Sequence, residues 1–367
     1  MENVRVDLGS RSYDVRIGSG LLPRLGGFAL DLNAARKGGR AIVIADSTVA
    51  RLYGKSALAA LAAAGFDSRM IRFRAGESSK TLVTYGRLLD RLLSLRPPID
   101  RSTLIVGLGG GVTLDLAGFV AATALRGLDF LACSTTLLAD TDAAVGGKTG
   151  INHRAGKNLI GVFQQPRGVL IDVDALKTLP RRQIANGLAE CVKHAVIRDE
   201  RLLAFMESNA PAILACKPSA MTRLVAWNVK IKAAVVSADE REAGQRVHLN
   251  FGHTIGHAIE SLVGYDKIGH GEAVSLGMVA ACEMAVHRGL LPREDASRVR
   301  NMLEHLGLPV RRHGLKPAAL WRIMQQDKKN RGGRVRMVLP TQIGQVTMAS
   351  DVNPPELVKA MAPLESA

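Results

Sequence analysis

Residues 102–127, STLIVGLGGGVTLDLAGFVAATALRG, constrain the fold more than any other stretch of this chain. The apolar run at its start is short and unbroken, which reads as a strand covered on both faces. Glycines at 107, 109, 110 and 111 follow, and then a helical run rich in small residues. A strand that turns through glycine straight into a helix belongs to a βαβ unit and needs parallel neighbours. Residues 40–46, RAIVIAD, repeat the pattern, with a helical stretch to Ala64 stopped at Gly65. Further strands are expected near Arg69–Phe73, over 129–136 and within 162–173, and a helix from the AGESSK loop (75–80) to about Leu95. Ahead of them Val4, Val6 and Leu8, then Tyr13, Val15 and Ile17, alternate around Gly9-Ser10 as a β-hairpin does.

From Pro180 the periodicity becomes helical, so a domain boundary is expected there, dividing 1–180 from 181–367. Late in the chain VRMVLP reads as a two-strand patch ended by Pro340, and 351–367 as a short polar helix or frayed end. No run of eighteen apolar residues occurs, so no membrane span is expected. The first fifteen residues carry no signal-peptide pattern. Cys133, Cys191, Cys216 and Cys282 lack CxxC spacing. These features lead to the expectation of a cytoplasmic protein.

The net charge of +16 favours anionic partners. Aromatic residues make up only 4% and the basic residues are dispersed, so a phosphorylated or carboxylated small molecule is expected rather than nucleic acid.

Five stretches carry candidate chemistry. Gly107–Gly111 could admit a pyrophosphate at a helix start, with Asp46 placed for a ribose, although a tight βα turn without a ligand has the same glycines. The AGESSK loop could turn its amides to an anion, and Lys148 and Lys157 with Asn158 in the glycine-rich stretch 146–161 resemble an anion cradle. In NGLAECVKHAVI, residues Glu190, Lys193 and His194 share one helix face, which a surface ion pair would explain as well as a site. Finally, RVHLNFGHTIGHAIESLVGYDKIGHGE places His253 and His257 on one helix face and brings His270 shortly after. Three imidazoles could serve a divalent metal; a buried pair bonded to carbonyls is the plainer alternative.

In order, GGGVxxDLAGFVAAT, STTLLA, VGGKTG, GKNLIG, LKTLP, GLAE, KAAVVxxDERE, LNFGHTIGHAIE, HGEAV and DKK resemble the 3-dehydroquinate synthase family, over roughly residues 40–345. The iron- and zinc-dependent glycerol dehydrogenases share that architecture without this lysine set. The resemblance implies an α/β N-terminal nucleotide-binding domain with a parallel sheet, an all-α C-terminal metal-binding domain, and an active site in the cleft between them. It implies NAD and one Zn2+ (or Co2+) as cofactors. Glu190, His253 and His270 correspond to the metal ligands, with His257 a nearby base or hydrogen-bonding group. Cofactor contacts correspond to Asp46, Ala75, Gly76, Glu77, Lys80, Gly110, Gly111, Val112, Thr113, Asp115, Thr135, Thr136, Lys148, Lys157 and Thr178. Substrate contacts correspond to Asp142, Lys148, Asn158, Lys193, Lys232, Glu242, Arg246, Asn250, His257 and Lys328. Arg126 matches an arginine that reaches the neighbouring subunit's phosphate site, which implies a homodimer.

The implied reaction converts 3-deoxy-arabino-heptulosonate 7-phosphate to 3-dehydroquinate. Transient oxidation by NAD acidifies a C–H bond, phosphate is eliminated, the hydride returns, and an intramolecular aldol step closes the ring. The nearest alternative is a cyclase for sedoheptulose 7-phosphate, which lacks the carboxylate; Lys232, Asn250 and His257 favour the former. A polyol dehydrogenase would make net NADH, and a basic binding protein would bind DNA without zinc. The chain departs from the family pattern at Leu114, Ser134, Asp140, Ala143-Ala144 and His194; Leu114 could crowd the pyrophosphate turn or force a different backbone angle there.

Overall fold

The computed structural model describes residues 1–32, 38–242, 244–326 and 335–365. Strands β1 (Glu2–Val6) and β2 (Tyr13–Gly18) form the N-terminal hairpin, with Glu2 opposite Ile17. Then come α1 (Leu25–Asp31), β3 (Arg40–Asp46), α2 (Ser47–Ala63), β4 (Asp67–Phe73) and α3 (Leu82–Leu93). They are followed by β5 (Leu104–Gly109), α4 (Gly111–Thr123), β6 (Phe130–Ser134), β7 (Lys148–His153), β8 (Gly156–Phe163) and β9 (Gly168–Asp172). Seven of these strands form one sheet in the order β1-β2-β9-β6-β5-β3-β4, and every pair except β1–β2 is parallel. One face of β3 and β5, with Ala41, Val43, Ala45, Leu104, Val106 and Leu108, packs on Phe28 of α1 and Leu61 of α2. Ile42, Ile44 and Ile105 on the other face are equally buried. The parallel sheet read from the apolar runs is therefore present.

The glycine-rich stretch 146–161 and the residues ahead of it carry regular structure. Ala139–Ala143 forms a π-helical turn, and β7 and β8 pair as an antiparallel hairpin. Gly150 and Gly161 face each other there, where a side chain on either would strike the opposite backbone. Glycine density hid the strand alternation from a pattern reading.

The rest of the chain forms α5 (Arg181–Arg198), α6 (Glu200–Leu214), α7 (Pro218–Ala238), α8 (His253–Val263), α9 (His270–His287), α10 (Arg293–His305) and α11 (Pro317–Gln325), then β10 (Met337–Gln342), β11 (Gln345–Ala349) and α12 (Pro354–Glu365). Two compact units result: Met1–Leu179 with Pro218–Glu240, and Pro180–Lys217 with Arg241–Ala367. A single cut at 180 does not describe this division. Helix α7 returns to the first unit because it packs on β1 and β2, and Glu240 just beyond it accepts both Arg11 nitrogens (2.8 and 2.7 Å). The second unit is also not purely helical. Pro340 lies inside β10 rather than ending a patch, opposite Val346 of β11. A two-stranded ribbon has an edge where its missing N–H costs little. Among the described residues no helix is long and apolar enough to cross a membrane.

Candidate metal and nucleotide sites

In the second unit, α9 is nearly all buried, and its start is the joint on which a cluster of ionisable groups is built. Arg182 at the head of α5 clamps both oxygens of Glu272 (2.6 and 2.7 Å), and Glu272 accepts the Gly269 amide (2.7 Å). The Asn186 side chain accepts the Glu272 amide (3.2 Å). Gly271 lets α9 approach so closely that a side chain there would strike the Asn186 backbone. Glu190 lies one turn beyond Asn186 on the same face of α5, so this docking sets it beside His270. Gly277 likewise brings α9 against the Gly252 carbonyl, just ahead of His253 at the start of α8.

The result is a three-point cradle. Glu190 Oε1 is 3.5 Å from His253 Nε2 and 3.5 Å from His270 Nε2. Tetrahedral zinc with ligands at about 2.0–2.1 Å would separate them by about 3.3 Å. Glu190 is fully buried, and its Oε1 makes no hydrogen bond. A buried carboxylate oxygen facing two imidazole nitrogens without a proton donor suits a cation. Lys193, also buried, pairs with Oε2. Burial alone would raise the Glu190 pKa; Lys193, with the two histidines, holds it well below the usual carboxylate range. Burial pushes His253 down to about 3, toward the neutral form a metal requires. Burial also opposes a charge on His270, but its carboxylate neighbours Glu190 and Glu260 override that and raise it. His257 is half-buried, its ring 5.3 Å from that of His253 and 6.0 Å from that of His270. Near it in sequence, Arg246 is buried, and Asn250 donates to Glu242 (3.2 Å).

The first unit gathers another set. Strand order reverses between β3 and β5, since β4 lies on one side of β3 and β5 on the other. Dinucleotides bind at the carboxyl ends of strands at such a point. Asp46 ends β3 and the turn Gly109–Gly111 ends β5. Gly110 caps α4 with no side-chain acceptor, so the first amides of that helix remain for an anion; a side chain at 110 would meet Thr136 at 2.9 Å. Asp46 Oδ1 caps α2 through Thr48 (2.8 Å) and Val49 (3.1 Å), and its Oδ2 accepts from Thr113 (3.3 Å). Leu114 does not crowd the turn: it sits in regular helix, buried against Gly107.

Lys80 is buried and bridges Asp115 and Asn158, while Glu77 accepts from Asn152 (2.7 Å). Burial raises the Asp115 pKa in spite of Lys80. The AGESSK loop does not offer a free helix end, because Glu77–Ser79 is one 3-10 turn and Thr81 caps α3 with its own hydroxyl. Lys232 on α7 is buried and donates to the Asp142 carboxylate and backbone carbonyl. Thr135 is buried, Thr136 accepts the Ala139 amide (3.2 Å), and Thr178 bonds Tyr53 (2.6 Å). Gly76 takes a left-handed φ of 113°, and Ala75 donates to Ser47 (3.2 Å). Val112 lies in the first turn of α4, Lys157 is half-buried on β8, and Lys148 and Arg126 are exposed. Lys328 lies outside the described residues.

Sequence reasoning missed Glu260, which accepts from His270 Nδ1 (3.3 Å). Its place seven residues after His253 and three after His257 was the available signal.

Comparison with known proteins accords with this geometry. The family described as 3-dehydroquinate synthase N-terminal matches residues 70–186, and 3-dehydroquinate synthase C-terminal matches 187–330. A 3-dehydroquinate synthase of Geobacter metallireducens is 46% identical over 344 residues, 94% of each chain. A solved structure of 2-epi-5-epi-valiolone synthase from Streptomyces hygroscopicus, with NAD+ and Zn2+ bound, is similar with a TM-score of 0.88 at 30% identity, over 98% of each chain. A 2-deoxy-scyllo-inosose synthase complexed with carbaglucose-6-phosphate, NAD+ and Co2+ is similar with a TM-score of 0.85 at 28% identity, again over 98% of each chain.

Proposed function

The chain belongs to the 3-dehydroquinate synthase family, and from that premise we infer that it converts 3-deoxy-arabino-heptulosonate 7-phosphate to 3-dehydroquinate and phosphate, in the shikimate pathway. It is a lyase that uses NAD and zinc or cobalt as cofactors. The observation that carries this reading is the cradle of buried Glu190 and His253 with half-buried His270, in a chain that pairs the glycine turn of β5 with Asp46 at the strand-order reversal.

Glu190 Oε1 and the two Nε2 atoms would hold the ion, and Gly109–Gly111 with Asp46, Lys80 and Asp115 would hold the dinucleotide. When bound, NAD supplies reversible hydride acceptance at the substrate's C5, and the ion polarises the neighbouring hydroxyls. The protein's own share is orientation and charge. Lys193 keeps Glu190 ionised and places an ammonium group beside the cradle. Lys148, Lys157, Arg246 and Lys328 would balance the charge of the phosphate and carboxylate, Asn158 would add an amide hydrogen bond, and Lys232 holds Asp142 in place. Glu242 and the Val247 carbonyl take the Asn250 amide hydrogens and fix its orientation, and its oxygen is the atom that would accept from a substrate hydroxyl. His257 lies beside the cradle, where an imidazole would hold or move a proton at a substrate oxygen. Elimination needs the phosphate dianion fixed while the adjacent C–H bond is acidified, and lysine and arginine side chains would serve that need.

We further propose a homodimer in which Arg126 serves the partner's phosphate site. It follows Leu125 in a left-handed backbone pair (φ 50° and 66°), where α4 ends and the chain kinks outward to an exposed position. The reaction reading is tested by following phosphate release from 3-deoxy-arabino-heptulosonate 7-phosphate and from sedoheptulose 7-phosphate. Release from the first at the higher kcat/KM is expected; a preference for the second would overturn the assignment.

A further inference from the structure

Resting on the metal reading above, we propose that Glu260 is a positioning residue that aims His270 at the ion. The two imidazoles of the cradle are presented alike. Each turns Nε2 to Glu190 Oε1 at 3.5 Å, and each has an acceptor behind it at Nδ1. For His253 the acceptor is the Phe251 carbonyl at 3.0 Å, two residues away on the same chain segment. For His270 it is Glu260 Oε2 at 3.3 Å, a carboxylate on α8 reaching the first residue of α9. An imidazole that donates its Nδ1 proton has its lone pair on Nε2, and the ring is held against flipping. Glu260 is 2% exposed. A carboxylate so buried is costly unless it receives a donor, and His270 supplies one. Because it is anionic where the Phe251 carbonyl is neutral, Glu260 also makes the His270 nitrogen the more basic of the two. His253, His257 and Glu260 follow one face of α8 at spacings of four and three, so that face presents a ligand, a proton-transfer group and a support in succession.

The same atoms allow one rival: His257, Glu260 and His270 themselves lie close enough to gather a cation. The experiment separates the two. Zinc-free wild type, Glu260→Gln and Glu260→Ala are titrated with zinc against a chromophoric chelator, and the zinc-loaded forms are observed by 1H–15N spectroscopy of the imidazole protons. Wild type is expected to bind one zinc per chain and to show a slowly exchanging His270 Nδ1 proton. Both variants are expected to bind zinc roughly 10–100-fold more weakly and to shift or lose that proton signal. The thermal unfolding of zinc-free Glu260→Gln should match wild type, which separates positioning from a role in folding. Zinc affinity within twofold of wild type in Glu260→Gln, with the proton signal unmoved, would overturn the proposal. So would a second zinc in wild type that Glu260→Gln alone abolishes. A wild-type chain that binds no zinc would instead overturn the metal reading itself.

Discussion

Asp140 offers the sharpest test of the physical account, because it is a buried acid that nothing neutralises. It lies in the π-helical turn Ala139–Ala143 and is 1% exposed, and neither carboxylate oxygen makes a hydrogen bond of ordinary geometry. Burial raises its pKa from 3.8 to about 7; the Ser134 hydroxyl opposes that and the Asp172 charge adds to it. In the unfolded chain the group ionises near 3.8, so between that pH and about 7 the folded state holds one more proton than the unfolded state. Stability must then fall as pH rises through that window, by about 1.4 kcal/mol per unit. The full window of about three units corresponds to roughly 4 kcal/mol, and the part between about pH 5 and about pH 8 to roughly 2–3 kcal/mol. Asp140→Asn keeps the shape of the protonated acid and removes the titration. Any cost of seating the amide is the same at every pH, so the pH-dependent part of the difference isolates the proton. Denaturant unfolding of both proteins across that range should show the variant gaining on wild type as pH rises and levelling off above about 7. A difference that stays flat, or that moves in favour of wild type, would refute the reasoning.

Other expectations follow from the same coordinates. His253→Ala should lose both bound zinc and activity, whereas His257→Ala should lose activity but keep zinc by elemental analysis; equal zinc loss would remove the ligand assignment. Gly277→Ala drives a methyl group toward the Gly252 carbonyl, so thermal or denaturant unfolding should show about 1–3 kcal/mol of destabilisation and chelator competition a weaker zinc site. Arg126→Ala should be inactive alone, yet mixed and refolded with His253→Ala it should recover about a quarter of wild-type activity, because half the dimers then carry one complete site. No recovery, or full activity of Arg126→Ala alone, would remove the partner role.

The sequence was most legible where one local pattern had one physical meaning. RAIVIAD and LIVGLG are short unbroken apolar runs that read as strands covered on both faces, and β3 and β5 lie inside the sheet. The helical spacing of His253 and His257 was equally direct. Legibility failed where structure depends on what packs from far away. Helix α7 reads like its neighbours, and only its packing on β1 and β2 returns it to the first unit. The β7–β8 hairpin was hidden because glycines, two of them required by the close crossing of Gly150 and Gly161, interrupt its side-chain alternation. The meeting of Glu190 with His270 rests on Asn186, Gly271 and the Arg182–Glu272 clamp, none of which resembles a metal motif. Asp140 shows the reverse: a departure visible in the sequence whose consequence depends on burial that the sequence does not display.

The most direct test of the central claim is anomalous diffraction at the zinc absorption edge from crystals of the zinc-loaded protein. The account predicts one peak per chain, bounded by Glu190 Oε1 and the Nε2 atoms of His253 and His270, with Glu260 at hydrogen-bond distance from His270 Nδ1. A peak bounded instead by His257 and Glu260, or zinc bound away from Glu190, would contradict it.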